Sequence, residues 1–211
     1  MRRFVTFEGG EGSGKTTQIK LAAEWLKDQG IFTLSTAEPG GTPLGLKIRK
    51  ILLNRGPCTI SAEAELLLFA AARAQHVKET ILPALEAGQW VLCDRFTDAT
   101  LAYQGFGRGL EAGFIKVLNA FSSFSLTPNM TLLFDLPVAT ALARAEMRAV
   151  GGPPETAEDR FEGENRDFHG RIRNGYLTLA AGEPERFRII DAAQDVETVH
   201  REVRHRLTEL L

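Results

Sequence analysis

The chain has 211 residues, with 25 Lys and Arg against 27 Asp and Glu, a net charge of −2 and 44% hydrophobic residues. That length suits one well-buried α/β unit, and the near-neutral balance excludes bulk electrostatic attraction to nucleic acid. No apolar run approaches the roughly 20 residues of a membrane span, and the N-terminus runs directly into the first strand with no secretory leader. The expectation is therefore a single cytoplasmic domain over 1–211, with neither nucleic acid nor membrane as a partner.

The first predicted strand covers 4–7, and a helix is predicted over 17–29. Between them lies Gly9-Gly10-Glu11-Gly12-Ser13-Gly14-Lys15-Thr16, which fits the phosphate-binding pattern G-x-x-x-x-G-K-[ST] at every fixed position. Glycines let backbone N–H groups converge on phosphate oxygens at a helix N-terminus. Lys15 reaches the β- and γ-phosphates, and the Thr16 hydroxyl suits Mg²⁺. Gly9 to Gly14 with Lys15, Thr16 and Thr17 are thus the candidate ATP-binding residues.

Further apolar strands are predicted at 31–35, 90–93, 130–134 and 187–190, without polar alternation, as for strands buried on both faces. Leu67, Ala70, Ala74, Val77 and Ile81 mark the core stripe of a long helix, with Ser61 as its N-cap. Phe161, Asn165, Phe168, Ile172, Tyr176 and Leu179 mark a second long helix, and Val196, Val199, Val203, Leu207 and Leu210 a third. Alternating strands and helices predict a five-stranded parallel sheet flanked by helices on both faces, a P-loop NTPase fold. The stretch 149–157, with Gly-Gly-Pro-Pro at 151–154, predicts a mobile segment. Of two cysteines, Cys58 and Cys93, the second lies in an apolar strand and reads as a free thiol of a reducing compartment. His76, His169, His200 and His205 read as surface or helix residues, and two cysteines with four scattered histidines make a zinc site implausible.

Ligands collect at the carboxyl ends of parallel strands. The second strand leads to Glu38-Pro39-Gly40-Gly41-Thr42 and the third to Asp94-Arg95-Phe96. Asp94 suits Mg²⁺ or a helix N-cap; Arg95 suits a bidentate phosphate contact or a structural ion pair. Phe69, Arg73 and His76, spaced i, i+4, i+7, share a helix face separate from the core stripe. There an aromatic ring can stack on a base beside a guanidinium. In the run Tyr103-Gln104-Gly105-Phe106-Gly107-Arg108-Gly109, three glycines in five residues argue against a comfortable helix. Thr100, Tyr103 and Gln104 could read a base edge. Arg144 and Arg148 fall on one face near Arg160, either as lid cations over a transferred phosphoryl or as a solvated basic face.

At these residues the chain resembles the thymidylate kinases, which phosphorylate dTMP with ATP. The resemblance rests on the 8–17 loop, the 38–42 segment, Ala71-Ala72-Arg73, Asp94-Arg95-Phe96 and the 103–109 run, and it spans nearly the whole chain. It implies that Lys15 and the loop amides hold the donor phosphates, and that Thr16 and Asp94 help hold Mg²⁺. It places Glu11 near the acceptor sugar, Phe69 on thymine, and Arg73, Gln104 and Thr100 at or near the base. Glu38 falls on the acceptor side, Tyr103 under the sugar, and Arg49 with Arg95 on the acceptor phosphate. The loop has no arginine between Gly9 and Gly14, as in the bacterial branch, so a lid over about 144–162 supplies Arg148, with Arg144 or Arg160. Phe161 stands where some members have a tyrosine. The family also implies a homodimer. Two other readings stay open from the residues alone: a deoxynucleoside kinase on the same fold, and a nucleotide-dependent switch ATPase.

Overall fold

The computed structural model describes residues 3–53, 59–151, 160, 161 and 163–211, with backbone alone at 148–151. The strands are β1 Arg3–Glu8, β2 Thr33–Ala37, β3 Trp90–Asp94, β4 Met130–Asp135 and β5 Phe187–Asp191. They form one parallel sheet in the order β2-β3-β1-β4-β5. Helices α1 Lys15–Asp28 and α9 Val196–Thr208 cover one face, where Val5, Phe7, Leu92, Leu132, Phe134 and Ile190 point. Side chains alternate along a strand, so Phe4, Val91, Cys93 and Leu133 point the other way. That second face is covered by α3 Ala62–His76, α4 Leu82–Glu86 and α8 Arg166–Gly182, with the segments that adjoin them. The remaining helices are α2 Pro43–Leu53, α5 Thr97–Thr100, α6 Ala112–Ser122 and α7 Val138–Gly151.

The predicted elements need correction at several points. β2 starts two residues later than expected because Ile31 still belongs to the end of α1. Its N–H bonds the Leu26 carbonyl at 2.9 Å across Gly30 at φ 76°, a Schellman closure. The edge strands β2 and β5 are only partly buried, since an edge has a neighbour on one side alone. In the long helix, Ser61 caps as expected, its hydroxyl accepting from the Ala64 N–H. Leu67, however, is 55% exposed, and Leu66 takes the buried position. A π-helical segment, Val77–Ile81, joins α3 to α4 just before Pro83. Proline cannot donate the i→i−4 bond, so the ladder is re-spaced there and the stripe shifts register. The third helix matches at Val199, Val203 and Leu207, though Val196 is 47% exposed and Leu210 lies past its end, and the second begins only after Phe161, with Asn165 as its N-cap accepting from the Phe168 N–H at 2.9 Å.

The glycine run is helical after all. Leu101–Gly107 is a second π segment, continuous with α5, and Arg108 N–H bonds the Tyr103 carbonyl at 2.9 Å. Gly107 is demanded by packing: a Cβ there would lie 2.8 Å from the Phe168 ring. The wider turn holds Tyr103 and Gln104 on the cleft side while Leu101 and Ala102 stay in the core. Cys93 is a buried free thiol; the stretch predicted as mobile over 149–157 is still α7 up to Gly151, and Cys58 and residues 152–157 lie outside the described residues.

Candidate active site

The carboxyl ends of β1, β2 and β3 open onto a cleft of about 760 Å³. Its floor at one end is the loop from Glu11 to Thr17, and at the other are Phe69, Arg73, Thr100 and Gln104. Gly14 precedes α1 at φ 85°, a left-handed conformation costly for other residues. No side chain caps α1, so its first N–H groups face the cleft and form the anion-binding end of the helix. Gly9, at φ 135°, is forced by contact as well, since a Cβ would sit 2.5 Å from the Phe134 carbonyl oxygen. Lys15 Nζ donates to the Gly9 and Gly10 carbonyls, at 3.1 and 2.8 Å, and to Ser13 Oγ at 3.2 Å. Burial first, and then the neighbouring Arg95, bring its pKa down to about 8.

The strand register puts Phe7 beside Asp94, so β3 delivers a carboxylate next to the loop. Asp94 Oδ2 accepts from the Thr16 hydroxyl at 3.1 Å, while Oδ1 is buried with no hydrogen-bond partner among the described residues. Asp94 caps no helix: α5 follows Phe96 without a side-chain cap. A buried, unsatisfied carboxylate oxygen beside a threonine hydroxyl is the donor set of a hard divalent cation, so these two residues fit the expected metal.

Arg95 has φ 66°. Its Nη1 donates to the Gly9 carbonyl at 2.9 Å and to the Tyr176 hydroxyl at 3.4 Å, and its Nη2 to Glu11 Oε1 at 2.5 Å. Arg95 is thus ion-paired, and it lines the cleft between its two ends. The Glu11 oxygen also accepts from Tyr103 at 2.8 Å, and the guanidinium lies 4.8 Å from the Tyr103 ring centre.

On α3, Arg73 is 1% exposed and held on every side. Nε donates to Glu38 at 2.8 Å, Nη1 to Asn119 at 2.8 Å, and Nη2 to the Phe96 carbonyl at 3.1 Å and Thr100 at 2.8 Å. His76, also buried, bridges Glu38 at 3.1 Å and Thr36 at 2.7 Å. The face shared by Phe69, Arg73 and His76 is therefore a second packed face of α3. Gln104 donates to Glu65 at 2.7 Å, and Arg49 to the Pro39 carbonyl at 3.0 Å. The Phe69 and Phe161 rings lie 6.2 Å apart at the cleft wall.

The lid arginines separate. Arg144 donates to the Ala192 carbonyl at 2.8 Å, beyond β5. Arg160 points away from the loop, donating to Glu65 at 2.5 Å and to the Leu52 carbonyl at 3.1 Å. The Arg148 side chain and residues 152–159 and 162 of the expected 144–162 lid lie outside the described residues.

Sequence reasoning missed the buried carboxylates. Glu65 collects Gln104, Arg108 and Arg160. Glu8, wholly buried, accepts from the Phe96 N–H and the Tyr176 hydroxyl, both at 2.7 Å. Asp98 pairs bidentately with Arg186 at 2.6 and 3.0 Å over Thr131. The one available signal was an acid at the end of an apolar strand immediately before Gly9.

A phosphate loop, a divalent-cation donor pair and a basic, aromatic pocket facing them across one cleft define a P-loop phosphotransferase acting on a nucleotide. The chain belongs to the thymidylate kinase family, whose model matches residues 7–203. It is 60% identical to a thymidylate kinase from Syntrophus aciditrophicus over 203 residues, 96% of this chain and 93% of that one. Another from Desulfovibrio desulfuricans is 53% identical, covering 93% of this chain and 90% of its own. A crystal structure of thymidylate kinase from Ehrlichia chaffeensis superposes with a TM-score of 0.77 at 34% identity, covering 98% of each chain.

Burial, chiefly, and then Asp98 raise the Glu8 carboxyl from 4.5 to about 7. A raised acid contributes stability that is full below the unfolded value and is lost as pH rises through the folded one. Glu8→Gln removes that dependence. Between pH 5 and pH 8 the stability gap between wild type and variant, read from urea midpoints, should close by about 2–3 kcal/mol. A gap constant with pH would show an ordinary carboxyl.

Proposed function

We propose that this chain transfers the γ-phosphoryl of ATP to dTMP, giving dTDP and ADP in the supply of dTTP. The observation that carries the reading is the single cleft that places Lys15 and the α1 N-terminus opposite Phe69, Arg73 and Gln104, with Arg95 between them. In this reading ATP lies on the loop and dTMP at the far end. Phe69 stacks on thymine, and Arg73, Thr100 and Gln104 surround the base. Tyr103 and Glu11 take the sugar, with Glu38 holding Arg73. Arg49 and Arg95 hold the acceptor phosphate.

Thr16 and Asp94 hold Mg²⁺, which supplies charge neutralisation at the donor phosphates when bound. The dTMP phosphate oxygen is already anionic, so no strong base is needed. In-line transfer then depends on positioning and on cations over the transferred group. The chain acts as one domain over 1–211, and the lid at about 144–162 brings Arg148, helped by Arg144 or Arg160. No described helix is long and apolar enough to cross a membrane, and a cytoplasmic site fits a reaction on free nucleotides.

The homodimer expectation gains support from α6. Phe114, Val117 and Phe121 are exposed at i, i+3 and i+7, followed by Phe124. Phe121 is 79% exposed, and Leu67 adds apolar surface on the adjoining helix α3. A second copy of the chain buries this stripe.

The function is tested by ADP release with ATP and Mg²⁺ across dTMP, dUMP, UMP, AMP, dCMP and thymidine. Fast turnover with dTMP, weaker with dUMP and near background elsewhere is expected; phosphorylation of thymidine in place of dTMP would overturn the acceptor assignment. Arg148→Ala should cut kcat by roughly 10³-fold, and an unchanged kcat removes that residue from the transfer step. Phe121→Asp should sediment as a monomer; a persistent dimer moves the interface off α6.

A further inference from the structure

Arg95 stands in a left-handed backbone conformation that is costly for an arginine, and such a residue persists only where its surroundings over-determine it. Both sides of the corner are pinned. The Arg95 N–H donates to the Phe7 carbonyl at 3.0 Å, and the Phe96 N–H to Glu8 Oε1 at 2.7 Å. The other Glu8 oxygen accepts the Tyr176 hydroxyl at 2.7 Å. A phenol has one proton; with that proton committed to the carboxylate, its lone pairs are left for Arg95 Nη1 at 3.4 Å. We propose that Glu8 and Tyr176 are positioning residues for Arg95: Glu8 fixes the backbone corner and, by orienting the Tyr176 hydroxyl, also aims the guanidinium at the acceptor phosphate.

The inference rests on the placement of Arg95 at that phosphate. Neither Glu8 nor Tyr176 lines the acceptor end of the cleft, so their effect on the acceptor passes through Arg95. Tyr176 comes from α8, which follows the segment assigned to the lid, and Glu8 immediately precedes Gly9. The Arg95 corner is thereby tied to the donor loop and to the helix leading back from the lid. The Tyr176 ring packs with Tyr103 and Phe168 in the core, contacts that phenylalanine keeps.

The test compares affinity for dTMP with affinity for thymidine, which lacks only the phosphate, by calorimetry at pH 8. Tyr176→Phe should weaken dTMP about tenfold and leave thymidine within about twofold. An equal loss for both ligands, or no loss for either, would overturn the proposal, because general loosening of the core has no reason to spare the nucleoside. Glu8→Gln serves as the second variant should Tyr176→Phe melt early. Its amide must donate toward the phenol oxygen, which turns the phenol proton toward Arg95, so the same phosphate-selective loss is expected. Arg95→Ala separates the two layers. If it shows the selective loss and both other variants do not, the positioning role alone fails; if it leaves the dTMP-to-thymidine ratio unchanged, the assignment of Arg95 fails and the inference with it.

Discussion

The geometry of the cleft depends on keeping a guanidinium and an ammonium charged, close together and mostly out of water, ready for a polyanion. Burial first, and then Arg95, bring the Lys15 pKa down to about 8, and burial also works against the charge on Arg95. What compensates is a set of acids delivered by separate elements: Glu8 from β1, Glu11 from the loop and Asp94 from β3. Preorganised cations of this kind do not have to be assembled at the moment charge moves, which is where most of the catalytic gain of such sites lies.

The sheet makes that assembly possible. With β1 between β3 and β4, the strand that feeds the phosphate loop has a neighbour on each side. One of them sets Asp94 opposite Phe7, so the Asp94 carboxylate and the Arg95 corner arrive beside the loop by register alone. The other places Phe134 so close behind Gly9 that the loop backbone has no room for a side chain. Position at the loop is therefore set by backbone hydrogen bonds and steric exclusion, both insensitive to the surface residues around them.

The elements with long-range backbone consequences were readable from the chain: the glycine-lysine loop, five strands and the Asp94-Arg95 pair each carry a local pattern. Two kinds of feature were not. One is helix that survives a composition hostile to it. Gly105 and Gly107 count against a helix, yet the close approach of Phe168 to Gly107 and the capping bonds beyond it hold a π turn together. The other is the partner of each charge. Arg73, Arg144 and Arg160 look alike in sequence, but one is locked to Glu38 at the cleft end far from the loop, one bonds the segment after β5 and one pairs with Glu65. Those pairings join residues 35, 48 and 95 positions apart, and no periodicity reports them.

The buried arginines also divide their work by how many donors each has left. A guanidinium carries five N–H groups. Arg73 commits four: one to Glu38, one to Asn119 and two to the Phe96 carbonyl and Thr100. Among the described residues that leaves one donor on Nη1, too few for a bidentate grip on a phosphate and enough for one acceptor atom of a base. Arg95 bonds a backbone carbonyl, a hydroxyl and Glu11, with two neutral partners that an anion readily outcompetes. Two arginines of equal charge in one cleft are thus left with different donors for a ligand, the difference set by the carboxylate, amide and hydroxyl groups that surround each one.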